Sequence, residues 1–156
     1  MPTIRSYTQA TQAQTDDAFV LDRIGVGTMY IETADLIPQN SNSFNLGFEF
    51  LGTSPPISNQ LIGAVSFPIN ATFPINFAGS VGGIVTNPTS SFVMPVKQNG
   101  TQVGTITVST SGVYTFATTS STGLTISIND KLTVYGPATA DSTAAGIFFT
   151  LAGSQT

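Results

Sequence analysis

Few residues in this chain could do chemistry. It has neither cysteine nor histidine, which removes thiolate metal sites, cysteine nucleophiles and every histidine-dependent triad. Acid–base work would fall to carboxylates, Lys97, Lys131 or tyrosines. Five of the eight acids sit close together near the N-terminus: Asp16, Asp17, Asp22, Glu32 and Asp35. The remaining three are Glu49, Asp130 and Asp141. Glycoside hydrolysis needs two carboxyl groups about 5–9.5 Å apart, and nothing in the order of residues brings two of those three together. Asp16-Asp17 with Asp22 lacks the spacing of a calcium loop and reads as a solvated loop start. Asp130-Lys131 reads as an Asx-type turn before a strand. Gly25-Val-Gly27 is too short for a phosphate loop and reads as a hairpin turn. Tyr30, Tyr114 and Tyr135 could stack on sugars, but aromatics of a sandwich more often fill core or interface. No catalytic residue, cofactor or metal site is expected, and the chain reads as non-enzymatic.

The 156 residues fit one core-forming domain with a short extension. Charged residues make up 8%, against roughly 25% in an average soluble domain, so Ser, Thr, Asn, Gln and Gly must supply the surface. Mean hydropathy is +0.23, a value that suits a chain hiding part of its surface between subunits. The net charge of −4 and four basic residues scattered from Arg5 to Lys131 argue against nucleic acid, because few phosphate counterions could be released. The longest apolar run, Ala144 to Gly153, is about half a membrane span and carries Thr150. No membrane insertion is expected. Met1-Pro-Thr-Ile-Arg5 has no basic stretch followed by an apolar core, so no secretory signal is expected either.

These residues need a frame, and the frame is β. Residues 1 to 15 are polar and lack a sustained period, as in an arm that orders against a partner. Ala18–Asp22 and Thr28–Ile31 read as the strands of a small hairpin, with 33–37 as one helical turn stopped by Pro38. A lone hairpin is marginal, so Phe19, Leu21, Met29, Tyr30 and Ile31 are the expected attachment residues. Gln39 to Ser43 is a polar linker. Beyond it, strands are expected near 44–51, 61–67, 71–77, 91–98, 101–108, 112–118, 123–128, 131–136 and 145–152. Short strands at that spacing predict an all-β, antiparallel, jelly-roll-like β-sandwich over 42–156, preceded by an arm and hairpin over 1–40.

The sharpest local signal is Asn99-Gly100 between β-formers, a two-residue type I′ hairpin turn. An unbroken register from that turn pairs Gln98 with Thr101, Val96 with Val103 and Met94 with Thr105. It puts Lys97 opposite Gln102 and Val93 opposite Ile106 on the other face. Pro95 marks an edge or a bulge, since it cannot donate to a ladder. Ile147, Phe149 and Leu151 share an inward face, which leaves Phe148 on a nominally polar one. Phe148, Val93 and Ile106 are therefore the expected oligomer-interface residues.

The run Pro95-Val-Lys-Gln-Asn-Gly-Thr-Gln-Val-Gly-Thr-Ile-Thr-Val108, followed by Asn129-Asp-Lys-Leu-Thr-Val134, Pro137-Ala-Thr-Ala-Asp141 and Ile147 to Gly153, resembles a domain common in tailed-bacteriophage virion and prophage tail proteins; with Asn76-Phe-Ala-Gly-Ser-Val81, similar to the segment before that hairpin, the likeness covers residues 75–153. Thr15 to Ile37 resembles a virion-proximal hairpin motif near the start of phage fibre proteins. Typical fibres insert a long repetitive shaft between the two ends, and this chain has almost none.

The resemblance implies a structural protein of the virion, assembled in the host cytoplasm. It implies a short tail fibre or adhesin subunit, a homotrimer, docked to baseplate or tail by its N-terminus. Its sandwich would contact host surface glycan, with avidity from several copies. A capsid decoration (cement) protein on the major capsid protein is the alternative from a different structural role. A monomeric carbohydrate-binding module is a further one.

Overall fold

The computed structural model describes residues 18–23, 27–32, 42–52 and 54–156. The chain divides into two compact units, Met1–Ser41 and Asn42–Thr156.

In the first unit, β1 (Ala18–Arg23) pairs antiparallel with β2 (Gly27–Glu32). The register sets Phe19 opposite Ile31, Val20 opposite Tyr30 and Leu21 opposite Met29. The five expected attachment residues thus occupy paired positions of one hairpin. The arm and the helical turn expected at 33–37 lie outside the described residues.

The second unit is an antiparallel β-sandwich of two five-stranded sheets. Its strands are β3 (Ser43–Phe50), β4 (Leu61–Ser66), β5 (Ala71–Phe73), β6 (Val81–Thr86), β7 (Phe92–Gln98), β8 (Thr101–Val108), β9 (Tyr114–Thr118), β10 (Leu124–Ile126), β11 (Lys131–Tyr135) and β12 (Ala145–Gln155). The first sheet runs β10-β5-β12-β3, with β6 also on β12. β12 is its spine. One edge pairs with β3 along the whole of that strand, and the other is shared by β6 and then β5. The second sheet runs β4-β11-β7-β8-β9.

Alternation builds the core. Ile147, Phe149 and Leu151 of β12 point inward, as do Met94, Val96, Ile106, Val108, Leu132 and Val134 from the second sheet. Burying each such side chain is worth roughly 1.5–3 kcal/mol. Phe44, Phe67, Phe73 and Phe77 form an edge-to-face chain with centroids 5.6–6.3 Å apart, and Phe48 stacks on Phe149 at 5.1 Å. Edge-to-face contact suits the ring quadrupoles.

The Asn-Gly turn forms as the sequence demands. Asn99 has φ 50° and Gly100 φ 90°, both positive as a type I′ turn requires. The register from it does not run unbroken. Gln98 pairs with Thr101 and Lys97 with Gln102, but Val96 pairs with Gly104, Met94 with Ile106 and Val93 with Thr107. Val103 is an extra residue, a β-bulge. Its carbonyl accepts from the Thr119 N–H at 2.8 Å and the Thr119 hydroxyl at 3.0 Å. The bulge reconciles two phases of the same strand. Val103 and Ile106 would face opposite ways on a regular strand, yet both pack on the core. Pro95 lies just beyond the last residue that β7 pairs with β11, Val96, so its missing N–H interrupts no pairing there.

β6 was not expected from the sequence. In Val81-Gly-Gly-Ile-Val-Thr86 two adjacent residues lack side chains, which weakens the strand signal. Those glycines are needed for close packing. A Cβ at Gly82 would come within 2.3 Å of the Tyr114 ring, and one at Gly83 within 2.5 Å of the Phe148 ring. The stretch expected to continue β5 to residue 77 instead turns through a 3-10 segment, Ile75–Phe77. There Asn76 and Phe77 take φ of 54° and 48°, a conformation that costs a non-glycine residue roughly 1–2 kcal/mol. The buried Phe77 ring, against Phe73 and over Gly104, offsets that cost.

Candidate functional site

Asp130 and Asp141 mark opposite ends of the second sheet. Asp141 is buried between the loop before β7 and the loop before β12. One carboxylate oxygen accepts from the Thr89 and Ser90 N–H groups and the Thr89 hydroxyl, at 2.7–3.0 Å. The other accepts from the Thr143 and Ala144 N–H groups and the Thr143 hydroxyl, at 2.7–3.0 Å. Burial pushes its pKa up, but the hydrogen bonds from Thr89, Thr143 and Ser90 outweigh that and hold it well below the usual carboxylate range. Asp141 is a clasp between two loops, saturated with donors.

Asp130 braces the opposite end. It accepts from Asn99 Nδ2 at 2.6 Å, Gln98 Nε2 at 2.6 Å and the Ser127 N–H at 2.8 Å. These bonds, Asn99 first, lower its pKa. The Asx-type turn is present, and it also ties down the β7–β8 turn, since Asn99 Oδ1 accepts from the Lys131 N–H. The contacts of Asp141 precede β7 and those of Asp130 follow it. Seven residues of strand separate the two acids by roughly 20 Å, well beyond the carboxylate spacing of a glycosidase. Glu49 projects from the outer face of the first sheet, opposite Phe148. Among the described residues no three potential metal ligands gather.

Two tyrosines have structural duties. The Tyr114 hydroxyl donates to the Gly83 carbonyl at 2.7 Å, and burial raises its pKa. The Lys97 ammonium sits 4.9 Å from the centroid of the Tyr135 ring on the outer face of the second sheet. Tyr30 belongs to the N-terminal hairpin.

What remains is an apolar surface on the outer face of the first sheet. Phe148 is 42% exposed and lies across Gly83, while Val81 and Val85 on β6 are 65% and 74% exposed. Val85 leans over Gly146, where a Cβ would fall 2.5 Å from Val85 Cγ2. At Gly47, on β3, a Cβ would meet nothing within 4 Å. The face is therefore flat, uncharged apart from Glu49, and raised at Phe148. It is suited to contact with another surface.

The expected interface residues separate here. Phe148 lies on this face. Val93 is 46% exposed on the far side, where it pairs with Thr107. Ile106 has no exposed surface. The bulge at Val103 turns Ile106 inward against Met94, so it is a core residue, and the expectation of an interface role for it is corrected. Val81 and Val85 were missed because β6 was not recognised as a strand. The paired parity of Val81, Gly83 and Val85 was the available signal.

No family model matches this chain, and neither does any curated protein or solved structure.

Proposed function

We propose that this chain is a non-enzymatic structural subunit of a tailed-bacteriophage virion, a short tail fibre or adhesin. Residues 1–40 dock it to the particle, and the sandwich meets host surface glycan. The phage assignment rests on the sequence likeness of the hairpin and of residues 75–153. The structural observation that supports an assembly role is the flat apolar face around Phe148, Val81 and Val85. A surface of that kind on a chain with so few charges is best accounted for by contact with protein. Copies assemble as a homotrimer through this face. Val93, exposed on the far side, belongs to a second contact if it takes part. Neutral Ser, Thr and Asn side chains on the exposed loops offer hydrogen bonds to sugar hydroxyls without ionic bias.

Sedimentation of the purified chain with isolated tails and with emptied heads tests this reading. Binding to tails, lost when residues 1–40 are removed, is the expected result. Binding to heads alone would shift the assignment to a capsid decoration protein. Binding to neither would overturn both.

A further inference from the structure

We propose that Asn99, in the β7–β8 turn, is a deamidation site held closed by Asp130, and that its conversion opens this end of the second sheet for good. This goes beyond the virion reading and does not depend on it.

The chemistry follows from the residue pair. Asn99 is the one asparagine of the chain that glycine follows. In such a pair the backbone nitrogen of the glycine can attack the side-chain amide carbon. A bond forms between Gly100 N and Asn99 Cγ. The side-chain nitrogen leaves as ammonia, taking the proton that the backbone nitrogen gives up. Water then opens the five-membered imide at either carbonyl and leaves aspartate or isoaspartate. Water is the sole co-reactant. Side chains do not screen the nucleophile: a Cβ at Gly100 would meet nothing within 4 Å, and both turn residues are exposed.

The folded turn withholds this reaction by conformation, by hydrogen bonding and by charge. Asn99 and Gly100 have φ of 50° and 90°, as in a type I′ turn, where ψ of the first central residue is about +30°. That ψ carries the Gly100 nitrogen away from the Asn99 side chain, so attack requires the peptide to swing round. The amide is also held at both ends. Nδ2 donates to Asp130 Oδ1 at 2.6 Å, and Oδ1 accepts from the Lys131 N–H at 2.9 Å. The Asn99 N–H donates to the Lys131 carbonyl at 2.9 Å. Finally, the Asp130 carboxylate opposes the negative charge that builds on the Gly100 nitrogen and the amide oxygen during attack. Asp130 is itself fixed by Gln98 Nε2 and the Ser127 N–H, so the clamp stands without Asn99.

The same clamp makes the conversion one-way. Aspartate at position 99 replaces the donor facing Asp130 with an oxygen, and two carboxylates that close disfavour one another's charge. Isoaspartate adds a main-chain atom to a loop whose two residues must fit type I′ geometry. Either product releases the β7–β8 turn from the turn before β11. The arrangement is a latch that opens once.

Mass spectrometry of tryptic fragments tests the clamp. The full-length protein is kept in mildly alkaline buffer, folded in one sample and unfolded in guanidinium chloride in another. The fragment spanning residues 98–131 is followed in both. Deamidation at Asn99 is expected to be at least about tenfold slower in the folded protein, because attack waits for the turn to open. Equal rates overturn the proposal, and that comparison needs no variant. Asp130→Ala, folded by circular dichroism, is expected to recover most of the difference. Gln98→Ala removes a bond to Asp130 that the Asn99 amide does not share, and is expected to stay near the wild-type rate. Equal acceleration by the two substitutions overturns the clamp.

Asn99→Asp reads the second half. It is expected to speed amide exchange at position 99 about tenfold and to lower the thermal midpoint. Adding Asp130→Asn exchanges donor and acceptor across the contact and should restore part of the loss. An Asn99→Asp chain that exchanges and melts like wild type overturns the latch.

Discussion

The two flanks of the sandwich are built in opposite ways. On the flank where β6 and the Ile75–Phe77 turn approach β9, specific contacts close the gap. Tyr114 reaches under Gly82 to the Gly83 carbonyl, Asn76 and Thr118 exchange hydrogen bonds, and Phe77 fills the space over Gly104. On the flank where β3 faces β4, the contact given by the described residues is packing, with the Phe48 ring against Gly63. The closed flank spends two left-handed residues to seal itself, and the more open one keeps a regular backbone. Specific polar contacts are therefore concentrated on one side, and plain packing on the other.

The largest expected effect breaks the closed flank. Phe77→Ala removes the ring that offsets its own backbone strain and should cost about 3–5 kcal/mol by denaturant unfolding. A cost below about 1 kcal/mol would mean that the flank is not sealed by that ring. Asp141 serves as a comparison away from either flank. Asp141→Ala strands four N–H donors at a buried site and should cost at least about 3 kcal/mol. Its pH signature is distinct. The folded-state pKa is depressed, so its contribution is fully present above the unfolded carboxyl value near 4. It is lost as pH falls below that value toward the folded one. Wild-type stability should therefore drop in acid more steeply than that of Asp141→Asn, in thermal melts followed from pH 7 to pH 2.

A smaller effect sharpens the comparison. Tyr114→Phe keeps the ring and removes the hydroxyl that holds β6, for an expected loss of about 1 kcal/mol. Amide exchange should then speed up in β6 and not in β3. The smallest effect belongs to the open flank. Gly47→Ala enters free space on an exposed strand position and should change monomer stability by less than about 0.5 kcal/mol. A large loss there would show that the β3 flank is as tightly built as its counterpart.

Much of this frame was legible in the residues. Asn99-Gly100 declared its turn because only that geometry accommodates two positive φ values, and Ile147, Phe149 and Leu151 declared the inward face of β12. The hairpin strands at Ala18 and Thr28 lie within a residue of their expected limits. Two things were hidden. The bulge at Val103 could be read only from the change of parity between Val103 and Ile106, and assuming an unbroken register placed Ile106 on the wrong face. β6 was hidden because its glycines make room for rings that arrive from Tyr114 and Phe148, distant in sequence. Phe148 stood out as an apolar residue on a polar face, but Val81 and Val85 could join it only once β6 was seen as a strand.

The central place of β12 also sets an order in time. Among the described residues β3 and β6 make no sheet pairing except through it, and β12 begins roughly 95 residues after β3 ends. At about 5–20 residues per second of synthesis, β3 waits some 5–20 seconds for β12, while β7, β8 and β9 zip together as successive hairpins. During that interval β3 lacks its β12 partner. A nascent chain is then most exposed to premature strand exchange with its neighbours on the same message, so crowding of ribosomes should govern the yield of correctly folded protein more than its final stability does.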